Sequence, residues 1–415
     1  MKAVILAAGL GRRMGAEKPK PLISLFGMPI IEHSIRKLRE HEVIVVYHDK
    51  EIEKFIKKRF PEIKLIYNDS PEKENGWSLY LVKDFIENDF LLVMSDHYYE
   101  ENFFKYDKFD KTTVFVSEHC EDKKEATKVK IDENKVSEIG KEIKDYDYFD
   151  TGFFYCKKEI FDYIEKMKQK ERIRLSDIFS ELAKDGKIGY HITNGRWIDI
   201  DTKEDLKKAE KIVAESLSMS KDGIISRNIN RKISTKITRI IVKYDFFTPN
   251  MMTIVSFSIG VLSSILFFMS MFIPAGIATQ LCSIVDGCDG EIARIKNMKT
   301  RFGSVFDALT DRMADFLIVL GMLFAYGFTS LSIISFFLAI SGSIIPSYVY
   351  HLTGLRTLFS GRDVRLFSIM TGAIISYFYI EFLIYTMIFI GLLAYGGVTL
   401  VMYKFWKEEK IYSID

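Results

Sequence analysis

The chain has 415 residues, 48% of them hydrophobic and 27% charged, with a formal net charge of +2. Those averages exclude a disordered chain, a collagen-like repeat and a globally basic surface, so no nucleic-acid partner is expected. Four cysteines (Cys120, Cys156, Cys282 and Cys288) are too few for a disulfide scaffold and lack zinc-site spacing.

The charge is unevenly spread. Residues 1–220 carry 40 Lys and Arg against 43 Asp and Glu, whereas residues 221–415 carry 18 against 13. In the first part, Met1 and Lys2 lead into a short apolar run that breaks at Gly9–Leu10–Gly11, which is not a secretion signal. Short apolar runs at Val4–Ala8, Val43–Tyr47, Ile63–Tyr67, Phe90–Met94 and Thr113–Val116 are expected to be buried strands. Charged segments at Glu32–His41 and Glu51–Arg59 are expected to be helices between them. Strand and helix in alternation predict an α/β, doubly wound, Rossmann-like domain with a mainly parallel sheet. Ligands of such sheets sit beyond the carboxyl ends of the strands.

The first strand runs through Ala7 and Ala8 into Gly9-Leu10-Gly11-Arg12-Arg13, where glycines allow close backbone approach to a phosphate and arginines supply donors. Position 14 is Met, where a dinucleotide-binding loop would want a third glycine. Lys18-Pro19-Lys20-Pro21-Leu22 and Gly27-Met28-Pro29 follow. A Gly-rich loop ending in Arg, then Pro-Lys-Pro-Leu, then Gly-x-Pro resembles the nucleotidyltransferases that couple a nucleoside triphosphate to a sugar phosphate. The resemblance extends over residues 1–215. It implies that Ala7, Ala8, Gly9, Gly11 and Arg12 hold the triphosphate and that Lys20 neutralises charge during attack on the α-phosphorus. It further implies that Asn75, Gly76 and Ser78 read the base. Asp96 and Asp199 would bind Mg²⁺, with Asp201 either the alternative ligand or the cap of a helix beginning near Lys203. Lys141 is a candidate for the sugar-phosphate group.

Between Ile224 and Lys243, five isoleucines (229, 233, 237, 240 and 241) at near-helical spacing alternate with six basic residues. The pattern predicts an amphipathic helix on an anionic membrane face, giving domains of 1–220, 221–246 and 247–415.

Beyond it, no Asp, Glu, Lys or Arg occurs from Phe246 to Val285 or from Phe316 to Leu355, and Glu381 alone interrupts Leu366 to Tyr403. A span needs about 20 mainly apolar residues. Six are therefore expected in an all-α domain, at residues 250–270, 274–295, 303–327, 330–353, 363–380 and 383–405. Arg294, Lys296, Lys299 and Arg301 follow span two, Arg356, Arg362 and Arg365 follow span four, and Lys404, Lys407 and Lys410 follow span six. These cations place both termini and both active sites in the cytoplasm.

Charges at the end of span two break the hydropathy pattern. Asp286 and Asp289 are three residues apart, Asp307 and Asp311 four, so each pair shares a helix face. Four carboxylates between two spans repel unless a divalent cation sits among them, and oxygen-only ligation suits Mg²⁺ or Mn²⁺. Asp286, Asp289, Gly290, Ala293, Arg294, Gly303, Asp307 and Asp311 fill every position of the signature by which the chain resembles the CDP-alcohol phosphotransferases. The resemblance implies that Asp286, Asp289 and Asp307 are metal ligands and Asp311 a general base that also touches metal. Asn250, Thr253, Gly290, Ala293 and Arg294 would contact the nucleotide. Arg362 and Arg365 are candidates for an acceptor phosphate, with plain positive-inside anchoring the alternative.

The domain order resembles a bifunctional family of heat-loving microbes that joins an inositol-1-phosphate cytidylyltransferase to a di-myo-inositol phosphate phosphate synthase. It implies CTP and inositol-1-phosphate as substrates, CDP-inositol as intermediate, a lipid bilayer as environment and a homodimer formed through the membrane domain. Gln169 and Gln280 are the only glutamines, a thermophile tendency. A phospholipid synthase using a CDP-lipid, with a fused nucleotidyltransferase, is the competing reading.

Overall fold

The computed structural model describes residues 1–10, 18–120, 123, 126–218, 222–355 and 359–412. It separates into two compact units, Met1–Ser216 and Leu217–Asp415.

The first unit is built on strands β1 (Lys2–Ala7), β2 (Glu42–Tyr47), β3 (Lys64–Tyr67) and β4 (Phe90–Met94). They pair in parallel in the order β4-β1-β2-β3, with Val4 opposite both Ile44 and Leu92. Strands buried on both faces read as unbroken apolar runs, which is why Ala3 to Ala7 show no alternation. Helices α1 (Ile30–Lys37) and α2 (Lys50–Arg59) bring Ile31, Ile35, Ile52 and Ile56 against Ala3, Ile5, Val43 and Val45. On the other face α3 (Glu74–Tyr80), α4 (Ile160–Met167) and α5 (Leu175–Lys184) bring Leu79, Ile164 and Ile178 against Val4, Leu6 and Val46. Each such side chain stabilises the fold by about 1.5–3 kcal/mol.

The expected mainly parallel sheet holds for only part of the nine strands. After β5 (His97–Tyr99) come β6 (Thr112–Ser117), β7 (Lys128–Asp132), β8 (Lys135–Gly140) and β9 (Tyr148–Cys156). β9 is antiparallel to β4, β6 and β7. The reason is local: among the described residues no α-helix intervenes between β6 and β9, and parallel pairing needs a long crossover. Glu133 and Asn134, at φ 45° and 60°, form the two-residue turn of the β7–β8 hairpin. β10 (Ile188–Ile192) closes the sheet on β6, and β11 (Trp197–Asp199) pairs with β5. Helix α6 (Lys203–Leu217) follows.

The second unit opens with a π-helical turn, Ser226–Asn230, and α7 (Arg231–Ile241). Six longer helices follow: α8 (Pro249–Phe268), α9 (Phe272–Ile295), α10 (Arg301–Tyr326), α11 (Ser330–Thr353), α12 (Arg362–Ser376) and α13 (Phe382–Tyr412). They occupy the six apolar regions. Three segments, Pro249–Phe268, Ser330–Thr353 and Phe382–Lys407, are by themselves long and apolar enough to cross a membrane. α9 and α10 carry the aspartates, and α12 has 15 residues. Leu262, Phe337 and Leu392 stand exposed on the outside, the reverse of a water-soluble bundle. α8 packs on α9 and α10, α12 on α9 and α13, and α11 on α13. A methyl group at Gly321 would stand 2.6 Å from the Ser264 carbonyl oxygen, so α8 and α10 approach as closely as only glycine permits.

Candidate active sites

In the first unit the register builds the site. Asp96 follows β4 beyond its carboxyl end, and antiparallel pairing sets Asp199 opposite His97. The Ile200 amide donates to the Asp96 carbonyl at 3.2 Å, closing the two chains together. Lys20, in a 3-10 turn pre-set by Pro19 and Pro21, reaches into this corner. Its Nζ lies 2.8 Å from Asp96 Oδ2, 3.2 Å from Asp199 Oδ1 and 2.6 Å from Asp201 Oδ1. Burial would lower the lysine pKa, but Asp96, Asp199 and Asp201 override it and raise it. Asp96 is pushed up by burial and pulled down further by Lys20 and His97, ending below the usual carboxylate range. The His97 ring, between Tyr99 and Trp197, directs Nδ1 to Asp96 Oδ1 at 2.9 Å.

Asp96, His97, Trp197, Asp199 and Asp201 line a cavity of about 950 Å³ with Asn75, Lys141, Asp150 and Arg174. Gly152 (φ +72°) passes so near that a Cβ would meet Met94 Cγ at 2.9 Å and His97 Nε2 at 3.1 Å. Within the expected base-reading segment the side chains divide. Asn75 lines the cavity while its Oδ1 accepts from the Leu175 amide at 2.9 Å. Gly76 packs on Ile173, whose carbonyl oxygen a Cβ would meet at 2.6 Å. Ser78 is buried and accepts from Asn68 Nδ2 at 3.0 Å, turned away from the cavity. Ala7 ends β1, Ala8 is buried beside it, and Gly9 has open space around it. Gly11 and Arg12 lie outside the described residues. The helix after Asp201 is capped by Thr202, whose Oγ1 accepts from the Asp205 amide at 3.1 Å, so capping does not fall to Asp201.

In the second unit α9 and α10 bring carboxylate oxygens of Asp286, Asp307 and Asp311 within 4.8 Å of one another. Asp289 stands outside that trio, its Oδ2 accepting from Thr253 at 2.8 Å, but lines the same cavity of about 570 Å³. Gly290 and Arg294 line it too, and a Cβ on Gly290 would meet Arg294 Nη1 at 3.2 Å. Asn250 stands at Gly303, where its Oδ1 would be 3.2 Å from a Cβ, and Ala293 is half-buried one turn from Asp289. Arg362 Nη1 lies 2.6 Å from Asp311 Oδ1 and 3.0 Å from Asp286 Oδ2, whereas Arg365 is turned to Asp315 at 3.1 Å. The isoleucines of the π-helical turn and α7 fall in two groups. Ile237 and Ile241 pack toward Cys288 and Ile292, and Ile229, Ile233 and Ile240 stay exposed. Arg231, Ser234 and Thr238 donate to the fully buried Glu291 at 2.9, 2.6 and 2.6 Å.

Residues 3–99 match a MobA-like NTP transferase domain and residues 246–410 match the CDP-alcohol phosphatidyltransferase family. Proteins named bifunctional IPC transferase and DIPP synthase align across both. That of Archaeoglobus fulgidus is 36% identical over 97% of this chain and 84% of its own length. That of Aquifex aeolicus is 35% identical over 98% of each. The chain belongs to this family. Among solved structures, the inositol-1-phosphate CTP transferase of T. maritima is 25% identical over 51% of this chain and 94% of its own, with a TM-score of 0.46.

The chain is accordingly a bifunctional transferase, and its second unit is membrane-associated, as the apolar helices and the CDP-alcohol phosphatidyltransferase match indicate. Both units gather groups that could hold a divalent metal: two carboxylates and an imidazole (Asp96, Asp199 and His97) in one, and three carboxylates (Asp286, Asp307 and Asp311) in the other. The second set passes a stricter test, because Asp286 Oδ1 and Asp307 Oδ1 are buried without a hydrogen-bond partner, as oxygens awaiting a cation would be. Sequence reasoning missed His97, Asp150, Glu291 and Asp315. Asp315 was open to discovery, since it continues the four-residue spacing of Asp307 and Asp311 by one more turn.

Proposed function

We propose that the first unit condenses CTP with inositol-1-phosphate, releasing pyrophosphate. The second unit then transfers phosphoinositol from CDP-inositol to a second inositol-1-phosphate, releasing CMP and forming a phosphorylated di-myo-inositol phosphate. The observation that carries this reading is similarity along nearly the whole length to relatives named for both activities.

In the first unit the inositol-1-phosphate oxygen attacks the α-phosphorus, and two anions must be brought together. Lys20, held charged by three carboxylates, offsets that charge, and Asn75, on the cavity wall, reads the base. Lys141 lines the same cavity for the sugar phosphate. In the second unit Asp311 takes the proton of the acceptor hydroxyl while the hydroxyl oxygen attacks the β-phosphorus, whose bond to the bridging oxygen breaks as CMP leaves. Arg362, on the cavity wall, binds the acceptor phosphate, while Arg365 supports it through Asp315. Asp289, Thr253, Gly290 and Arg294 border the cytidine diphosphate. Mg²⁺, when bound by Asp96 and Asp199 or by the aspartates of α9 and α10, screens the phosphates. We assign six membrane crossings to α8 through α13, both sites to the cytoplasmic side, and a homodimer to the membrane unit.

The test is the purified full chain with CTP, Mg²⁺ and inositol-1-phosphate and no lipid. CDP-inositol and a phosphodiester of two inositols are the expected products. Absence of both, or turnover only with an added CDP-lipid, overturns the assignment.

A further inference from the structure

Asp315 lies one turn beyond Asp311 on α10 and is 3% exposed. Its Oδ1 accepts from Arg362 Nε at 3.0 Å, and its Oδ2 accepts from Ser343 Oγ at 2.8 Å and Arg365 Nη2 at 3.1 Å. Arg312 Nη2 stands 3.7 Å away. Helices α10, α11 and α12 thus converge on one carboxylate, and a buried charge so fully occupied is a fixed point.

Arg362 uses that fixed point unequally. The Nε edge makes a directed hydrogen bond to Asp315. The Nη1 group sits at ion-pair distance from Asp286 and Asp311 yet makes no aligned hydrogen bond to either. Nε is held by direction and Nη2 donates weakly to Cys282 Sγ at 3.8 Å, whereas Nη1 is held by charge alone. A divalent cation and the guanidinium both need the Asp286 and Asp311 oxygens, and as like charges they cannot share them at short range. Tethered at Nε, Arg362 can pivot without leaving, and its remaining donors then face the cavity it lines with Asp286, Asp289 and Gly361. A phosphate entering there meets a planar donor fork.

We propose that Asp315 is a positioning residue that tethers Arg362, whose guanidinium exchanges between the Asp286–Asp311 carboxylates and a substrate phosphate. Divalent-cation binding and phosphate binding are thereby coupled. This rests on the proposed reading of Asp286, Asp307 and Asp311 as cation ligands.

The experiment is a Mn²⁺ titration of the detergent-solubilised full chain by electron paramagnetic resonance, with and without inorganic phosphate at fixed free Mn²⁺. The membrane-unit sites are those that Asp286→Asn removes. Phosphate is expected to tighten them about tenfold, and by reciprocity Mn²⁺ tightens phosphate equally. Arg362→Gln removes the competitor, so Mn²⁺ binds about tenfold tighter without phosphate and the phosphate effect disappears. Arg362→Lys keeps the charge but loses the fork, so Mn²⁺ affinity stays near the starting value while coupling is lost. Asp315→Asn weakens coupling in the native background and changes nothing further in Arg362→Gln, which is what acting through Arg362 requires. In turnover, Asp315→Asn raises the acceptor KM more than it lowers kcat. Unchanged coupling in Arg362→Lys, or an undiminished Asp315→Asn effect in Arg362→Gln, overturns the proposal, and the lysine variant decides even if Asp315→Asn does not fold. If Asp286→Asn removes no Mn²⁺ at all, the underlying cation-site reading fails instead.

Discussion

Each unit gathers carboxylates around one cation from a distant part of its own chain, but the two clamps are built differently. In the first unit Lys20 Nζ, a compact charge on a flexible stem, serves Asp96, Asp199 and Asp201 at once. In the second, Arg362 spreads its charge over two edges, one on Asp315 and the other between Asp286 and Asp311. A point charge has no second edge to be held by, so Lys20 either stays on its carboxylates or leaves them for a phosphate. A guanidinium can do both in part. The strand-end site is rigid because register sets Asp199 opposite His97, whereas the helical site relies on side-chain tethers between separate helices.

The largest expected effects test whether the two sites work separately. Lys20→Met should lower CDP-inositol formation by about 10³-fold, as loss of a preorganised charge does, while supplied CDP-inositol is still consumed at the normal rate. Asp311→Asn should do the reverse, slowing transfer by about 10²–10⁴-fold through loss of the base and letting CDP-inositol accumulate. Chromatography of products from labelled CTP and labelled inositol-1-phosphate reads both. A single variant that stops both reactions breaks the comparison, because the units would then depend on one another for chemistry.

Next in size come the carboxylates that Lys20 shares. Asp199, grouped with Asp96 and His97, is assigned to the metal, and Asp201 to Lys20. Asp199→Asn should therefore raise the Mg²⁺ concentration needed for half-maximal CDP-inositol synthesis. Asp201→Asn should leave that requirement in place and cut the rate about tenfold, the worth of one charge-assisted hydrogen bond. The opposite pattern in a Mg²⁺ titration exchanges the two roles. Gly290→Ala places a methyl against Arg294. It should raise the KM for CDP-inositol by roughly tenfold, within the cost of overpacking a tight site, with kcat less affected.

How legible each site was follows from what is local. Strands β1, β2 and β4 were readable because burial on both faces leaves unbroken apolar runs, and the α9–α10 aspartates because helical spacing records a shared face. Of the antiparallel portion only β6 was readable, as the apolar run Thr113–Val116. The β7–β8 hairpin turns on Glu133-Asn134, which lacks the glycine that marks such turns, and no helix separates β6 from β9 among the described residues. The Lys20 clamp joins positions 179 residues apart, a closure that no local pattern announces. Arg362 was readable as a candidate for an acceptor phosphate or a membrane anchor, but not as a partner of the aspartates. That it pairs with Asp286 and Asp311, while Arg294 donates to the Leu217 carbonyl, is decided by how α12 packs on α9.

The smallest expected effect concerns a carboxylate that the first clamp does not reach. Asp150 lines the same cavity as Asp96, Asp199 and Asp201, and among the described residues no cation forms an ion pair with it. Burial pushes its pKa up to about 6, against the Gly152 amide, which donates to Oδ1 at 2.8 Å and favours the ionised form. Below pH of about 4 the group is protonated in folded and unfolded chains alike. Between about 4 and 6 the folded chain keeps a proton that the unfolded chain has released, so this group's contribution to stability falls as pH rises. Above about 6 both are ionised and the fold bears the cost of the buried charge. Asp150→Asn, which retains an acceptor for Gly152, should thus stabilise the full chain by about 1–2 kcal/mol at pH 7.5, discounted for partial exposure. The gain should vanish near pH 4. Thermal unfolding of both proteins across that range measures it. A pH-independent gain would mean that Asp150 already finds its counter-charge, and that the Lys20 clamp neutralises the whole cavity rather than three carboxylates of it.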